Sequence, residues 1–214
     1  YNSDLIQTHE FYKHQNKYKI LPKAKIQRFR FRKIWKLVTF INHSFKNYRI
    51  VEFDHKLQPK PSYLWYQLKG FLLNYYFLFT EKNLKRKCFS IDPFFVAIFQ
   101  VSTDSQLTIG SNISDNKEFI EKVIRGFSES QLENTNLVFK HHPRDRGYNN
   151  YLKAIKEISK KYGIAKRVFY IHDCLLSKVF KSDKCKGTVL INSTVGYQSL
   201  YHSVPLKAFG ISPY

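Results

Sequence analysis

From residue 92 to the end, the sequence predicts an α/β unit: a parallel sheet with helices on both faces. Three observations carry that expectation. Short apolar runs such as FFVAIFQV, residues 94–101, suit strands buried on both sides. Stretches of helical periodicity alternate with these runs, and the connections between them are short.

The chain opens differently. Residues 1–91 read as a basic, aromatic-rich and mainly helical segment, with IQRFRFRKIWKLVTFINHSF (26–45) and SYLWYQLKGFLLNYYFLFTEKNLKRK (62–87) as its helices. In the second, Leu64, Leu68, Phe71, Leu72 and Tyr75 follow helical spacing. Two interpretations stand: amphipathic helices packed on a core, or a helix lying on an anionic membrane surface. Residues 92–214 then form the second unit. After the first strand, DNKEFIEKVIRGFSESQ gathers Phe119, Ile120, Val123, Ile124 and Phe127 on one helical side. NLVFK is the next strand, and YNNYLKAIKEISKKYG is a helix closed by Gly163. The strand RVFYIH, the short helix CLLSKVFKSD, the strand GTVLIN, the helix TVGYQSLYHS and the strand PLKAFG follow. This order is Rossmann-like.

Composition limits the function classes. The 214 residues suffice for a real core, and 43% hydrophobic with 24% charged residues is globular rather than disordered. The net charge of +20 is uneven: residues 1–91 hold 19 basic and 5 acidic groups, and residues 92–214 hold 17 and 11. Such a field favours an anionic partner: lipid headgroups, nucleic acid or a phosphorylated sugar. Cys88, Cys174 and Cys185 form no CxxC pair and no metal-ligand spacing, so they read as reduced thiols of a cytoplasmic protein, with no metal site and no cofactor expected. No signal peptide is evident and no apolar run has the ~20 residues a bilayer crossing needs. The chain has no methionine and starts at Tyr1, which predicts a piece of a longer protein.

Ligands of open parallel sheets bind outside the carboxyl ends of the strands, and the unusual residues of this sequence gather there. In INSTVG, Ser193 and Thr194 start a helix after a strand, an arrangement that suits phosphate or serves as a plain N-cap. In KHHPRDRG, Pro143 fixes the backbone after His142, whose imidazole can donate to a phosphate oxygen or protonate a leaving phosphate. Lys140, Arg144 and Arg146 add charge to that loop, which otherwise reads as a basic surface loop. QVSTDSQ places Gln100, Asp104 and Gln106 on a third strand end, where turn chemistry also explains Asp and Ser. Asp145, between two arginines, is expected to ion-pair, and Asp173 to cap the following helix. With no GxGxxG, Walker A loop or GxSxG elbow, dinucleotide oxidoreductases, P-loop NTPases and serine hydrolases are disfavoured.

FKHHPRDRG, FYIHD, LINSTVGYQSLYHSVPLKAFG and FQVSTDSQ, taken together, closely resemble the capsule polysaccharide biosynthesis and export family, most densely from Phe94 onward. These proteins are similar to retaining β-Kdo transferases that build the lipid-linked primer of Gram-negative capsules. The resemblance implies the C-terminal, nucleotide-sugar-binding half of a GT-B-type glycosyltransferase that uses CMP-Kdo. His142 and Pro143 match the HP motif that holds the CMP moiety, and Ser193 and Thr194 match the phosphate-binding pair. Gln100, Asp104 and Ser105 match a segment near the donor or acceptor sugar. The catalytic group is not identified, with Asp104 one candidate. Two departures stand out. Ser203 occupies the family's usual glycine position, and an acidic E-x-G-Y segment expected in the N-terminal half does not occur, so this chain alone is expected to be inactive and C-terminally truncated.

The expected partners are a nucleotide sugar, a lipid or glycolipid acceptor at the inner leaflet and other capsule assembly and export proteins. The expected location is cytoplasmic and peripheral to the inner membrane. Two alternatives stay open: another GT-B-like nucleotide-dependent phosphosugar or polyol-phosphate transferase, and a basic RNA- or membrane-surface-binding module. The aromatics fall in apolar stretches and no RRM, KH or zinc-knuckle pattern is present, which makes nucleic acid the weaker partner.

Overall fold

The computed structural model describes residues 61–102, 110–130, 132–212 and 214. The first helical stretch, 26–45, and the segment carrying Asp104, Ser105 and Gln106 lie outside them. Five strands form one sheet in the order β3-β2-β1-β4-β5: β1 (Phe94–Ile98), β2 (Asn136–Lys140), β3 (Val168–Ile171), β4 (Cys185–Leu190) and β5 (Leu206–Ala208). Every pairing is parallel, with Val96 opposite Val138 on one side and Thr188 on the other. The chain first steps outward from β1 to β2 and β3, then returns across β1 to β4 and β5. The strand order thus reverses between β1 and β4, and doubly wound sheets take ligands at the carboxyl ends of such a pair.

Strand alternation divides the core. Ala97, Leu137, Phe139 and Tyr170 face α3 (Asn116–Glu129) and α4 (Leu152–Lys161). Phe94, Val96, Ile98, Val138 and Ile171 face the other way, against α2 (Lys82–Ser90) and α5 (Leu176–Phe180), and Val195 and Val204 cover the same side at the two ends of α6 (Val195–Tyr201). Both faces are therefore covered, and strands such as FFVAI are apolar throughout for that reason.

Helix ends follow from their residues. Asp115 caps α3, its Oδ1 accepting the N–H groups of Lys117 and Glu118 at 2.8 Å each. Gly163, at φ 72, closes α4 in a Schellman motif: Ile164 N–H donates to Ser159 O at 2.9 Å and Gly163 N–H to Lys160 O at 3.1 Å. The same motif closes α6, with Val204 N–H on Ser199 O at 3.0 Å and Ser203 N–H on Leu200 O at 2.9 Å. Ser203 stands at φ 57, so the family's glycine position proves to be a left-handed one.

The stretch 62–87 is not one helix. It divides at Glu81 into α1 (Pro61–Thr80) and α2, which sends Cys88 into the core with Leu84 and Phe89 packed beside it. Helical bonds run on through the junction, Glu81 N–H to Phe77 O at 3.2 Å and Lys85 N–H to Glu81 O at 2.8 Å, and the Glu81 side chain turns inward to meet His172 at the end of β3.

Candidate functional site

Four strand ends make the site. At the end of β2, His141 N–H donates to Ile171 O at 2.8 Å and prolongs the ladder, so His141 is fully buried and His142 is the first residue to leave the sheet. Pro143 then starts a single 3₁₀ turn, Pro143–Asp145. His142 caps it, half-buried, with Nδ1 accepting the N–H of Arg144 at 3.2 Å. With Nδ1 accepting that bond, Nε2 is the ring nitrogen assigned the proton.

Asp145 is buried and its carboxylate holds the segment that follows β1. Ser102 donates its N–H to Oδ2 at 2.9 Å and its hydroxyl to Oδ1 at 3.1 Å, while Asn149 Nδ2 donates to Ser102 Oγ at 2.8 Å. Burial raises the Asp145 carboxyl above its ordinary value, against the lowering effect of these hydrogen bonds. The expected pairing with its flanking arginines gives way to this bridge, because the 3₁₀ turn points the carboxylate at the neighbouring strand end. Arg146 pairs instead with Asp173, Nη2 to Oδ2 at 3.4 Å. Asp173 is thereby taken from the capping role expected of it, and α5 has Leu175 at its N-cap with no side-chain bond.

Gln100 is buried at the end of β1, and its carbonyl accepts Asn116 Nδ2 at 2.9 Å. The same amide donates to Tyr151 Oη at 3.0 Å, tying β1, α3 and α4 together. Gln100 and Ser102 are thus anchored on either side of Val101, and Asp104 and Ser105 follow two and three residues later. Lys140 is buried as well. Its Nζ donates to His141 O at 3.0 Å, and burial pulls it below its ordinary value, so the strand end disfavours its charge. Arg144 is exposed beside His142.

Across β1, β4 runs on through Ile191 and Asn192 to Ser193 and Thr194. Ser193 Oγ accepts the N–H of Val195 at 3.4 Å, and Thr194 is the exposed N-cap of α6 without a side-chain bond of its own. Tyr214 Oη donates to Ser193 O at 2.9 Å, and its ring lies where a Cβ on Gly196 would stand. The close approach that Gly196 permits is therefore to the Tyr214 ring. With strands about 4.8 Å apart, the ends of β2 and β4 flank β1 at a separation of roughly 10 Å. His142 and Arg144 stand on one bank, Ser193 and Thr194 on the other.

Beneath this edge lies a buried polar group that sequence reasoning missed. Glu81 Oε1 is 2.6 Å from His172 Nδ1, and both Glu81 oxygens accept the His172 N–H at 3.1 Å. Burial alone would raise the Glu81 carboxyl; the His172 hydrogen bonds and charge, with Lys85 at 3.4 Å, outweigh it and hold the carboxyl below its ordinary value. Phe77 stacks on the His172 ring at 3.5 Å between centroids. Next to it, Tyr170 Oη meets His141 Nδ1 at 2.7 Å while accepting the N–H of Tyr151 at 3.4 Å. Burial pushes His141 down to about 3, so the ring is neutral, and its Nε2 has no hydrogen-bond partner among the described residues. One signal for Glu81 was available: it is the single acidic residue between 61 and 91. Burial raises all three thiols, Cys88 to about 12 and Cys174 and Cys185 to about 11. Among the described residues, no group of three or more acidic, His or Cys side chains could hold a metal ion.

The sequence model of the family described as "Capsule polysaccharide biosynthesis protein" matches residues 9–214. The capsule polysaccharide export protein KpsS of Escherichia coli is 34% identical over 178 residues, 80% of this chain and 43% of that protein. The capsule polysaccharide modification protein LipB of Neisseria meningitidis serogroup A is 34% identical over 143 residues, 66% of this chain and 34% of that protein. The chain thus spans less than half the length of these relatives. Among solved structures, Thermosulfurimonas dismutans KpsC, a beta Kdo 2,7 transferase, matches with a TM-score of 0.44 and 16% identity, over 83% of this chain and 47% of that one.

Proposed function

The chain belongs to the capsule polysaccharide biosynthesis family, and from that premise we propose that its α/β unit binds the nucleotide sugar of a GT-B-type glycosyltransferase. The donor is CMP-Kdo, and the transfer adds β-Kdo to a phospholipid-linked primer. The enzyme works on the cytoplasmic side, peripheral to the inner membrane, alongside other capsule assembly and export proteins. One observation carries the reading. The hydrogen bond from Arg144 N–H to His142 Nδ1 assigns the ring proton to Nε2, a donor at the bank of the strand-order reversal. Such a donor suits a phosphate that gains charge as the sugar leaves, and Arg144 adds positive potential beside it. Ser193 and Thr194 follow β4 at the same reversal and supply hydroxyls to the other end of the nucleotide. Gln100 and the segment with Asp104 and Ser105 would meet the sugar, with Asp104 the candidate for the catalytic carboxylate.

Calorimetric titration of CMP tests this. A hydrogen bond to a charged oxygen contributes about 1.5–3 kcal/mol, so His142→Ala should weaken CMP by roughly 10- to 100-fold. Unchanged affinity in that variant refutes the assignment. A thermal-shift panel of CMP, CDP and UDP separates CMP-Kdo from another GT-B-like phosphosugar or polyol-phosphate transferase, since only a bound nucleotide raises the melting point.

A further inference from the structure

We propose that α1 and the start of α2 form the surface by which this protein docks on an anionic lipid bilayer. The proposal deepens the lipid-acceptor reading above and rests on it for its biological setting, while its physical argument comes from the helix itself.

Trp65, Leu68, Leu72, Tyr76 and Phe79 are all exposed, Phe79 at 80% and Trp65 at 63%. At 100° per residue these five side chains fall within an arc of roughly 80°, one continuous stripe along the helix. The opposite side of α1 is already used. Tyr66 stacks on Tyr148 at 4.7 Å, Phe77 stacks on His172, and Gly70 packs on Gly147 so closely that a Cβ there would touch Gly147 N at 3.4 Å. Among the described residues, packing on the sheet leaves the stripe uncovered, and a row of this size needs a partner.

Charge decides which partner. Lys69 lies at the edge of the stripe, and α2 begins directly after α1 with Lys82 and Arg86 exposed, while Lys87 lies 5.6 Å over the Phe169 ring at the sheet edge. The acidic group of the region, Glu81, is buried against His172. An apolar aromatic face bordered by cations is the make-up of a helix lying in the headgroup layer of an anionic membrane. A second copy of this chain would bring another +20 to the contact, a poor match for the same patch. No helix among the described residues is long and apolar enough to cross a membrane, and a one-sided apolar stripe such as that of α1 suits a helix lying in the headgroup layer. Because Gly147 is five residues after His142, the docked helix also fixes the orientation of the His142 loop to the lipid surface.

The test uses the full chain carrying Trp35→Phe, which leaves Trp65 as its one tryptophan. Vesicles of phosphatidylcholine alone and with phosphatidylglycerol are compared by flotation, and brominated acyl chains report Trp65 insertion. The expected result is binding to the anionic vesicles only, with Trp65 fluorescence quenched. Leu72→Ser with Phe79→Ser should weaken that binding by roughly tenfold or more, and Lys69→Ala with Lys82→Ala and Arg86→Ala should reduce the quenching of Trp65 on the anionic vesicles. Equal recovery with both vesicle types, or binding without quenching of Trp65, overturns the proposal. So does sedimentation showing a dimer that the Leu72 and Phe79 changes dissolve, which would make a second copy the occupant. CMP titration of the same variants keeps the two readings apart. Intact CMP binding with failed docking rejects the surface alone, and docking without CMP binding rejects the donor assignment alone.

Discussion

Two helices of this protein end in the same motif with different residues at its critical position, and that difference predicts a stability change in each direction. Both α4 and α6 close with the paired bonds of a Schellman turn, and the residue that must turn left-handed is Gly163 at φ 72 in one and Ser203 at φ 57 in the other. Both positions are exposed. A side chain in the left-handed region costs about 1–2 kcal/mol, while glycine loses about 0.5–1 kcal/mol more backbone entropy on folding. The difference favours glycine by about 0.5–1 kcal/mol. Ser203→Gly should therefore stabilise by that amount. Gly163→Ser should destabilise by the same amount, because a Cβ there meets nothing within 4 Å and only the backbone is tested. For a chain of this size the thermal midpoint should move by about 1–4 °C, up for Ser203→Gly and down for Gly163→Ser. Circular dichroism melts and urea unfolding at 25 °C measure both. A lowered midpoint for Ser203→Gly, or an unchanged one for Gly163→Ser, would refute the backbone argument.

Two further outcomes follow from the buried parts of the site. His141 stays neutral in the fold down to about pH 3, whereas the unfolded chain takes up that proton near pH 6.5, so stability is lost as pH falls below 6.5. Between pH 7.5 and 5.5 one such histidine accounts for at most about 1.4 kcal/mol, and His141→Gln should flatten the urea midpoint against pH by that amount; parallel curves would show the ring is not shielded. Gly147→Ala would place a Cβ on the Tyr66 carbonyl and 3.2 Å from Gly70 N, so α1 must lift from the sheet. The expected cost is about 1–3 kcal/mol with faster proteolysis in α1, and a wild-type melt with wild-type cleavage would refute the contact.

The sequence by itself determined the alternation of elements and the edge of the sheet that holds the site. An apolar run such as FFVAI is legible because a parallel strand is buried on both faces, which leaves no polar positions to confuse the period. Gly163 and Asp115 were equally legible, or available to be so, because caps are local: their partners lie within five residues. Local signals could not say which neighbour each polar side chain would take. Asp145 bonds Ser102, 43 residues away, although two arginines flank it in sequence, because the 3₁₀ turn aims it across the strand ends. Glu81 looked like one more residue of a long helix, and its partner His172 is 91 residues distant. Lys140 and His141 read as part of a basic loop; the extra ladder bond from His141 to Ile171 kept both inside the sheet. Partner choice at long range depends on strand order and on the depth at which each chain segment leaves the sheet. Both are set by packing of the whole α/β unit, so tertiary structure alone decided them.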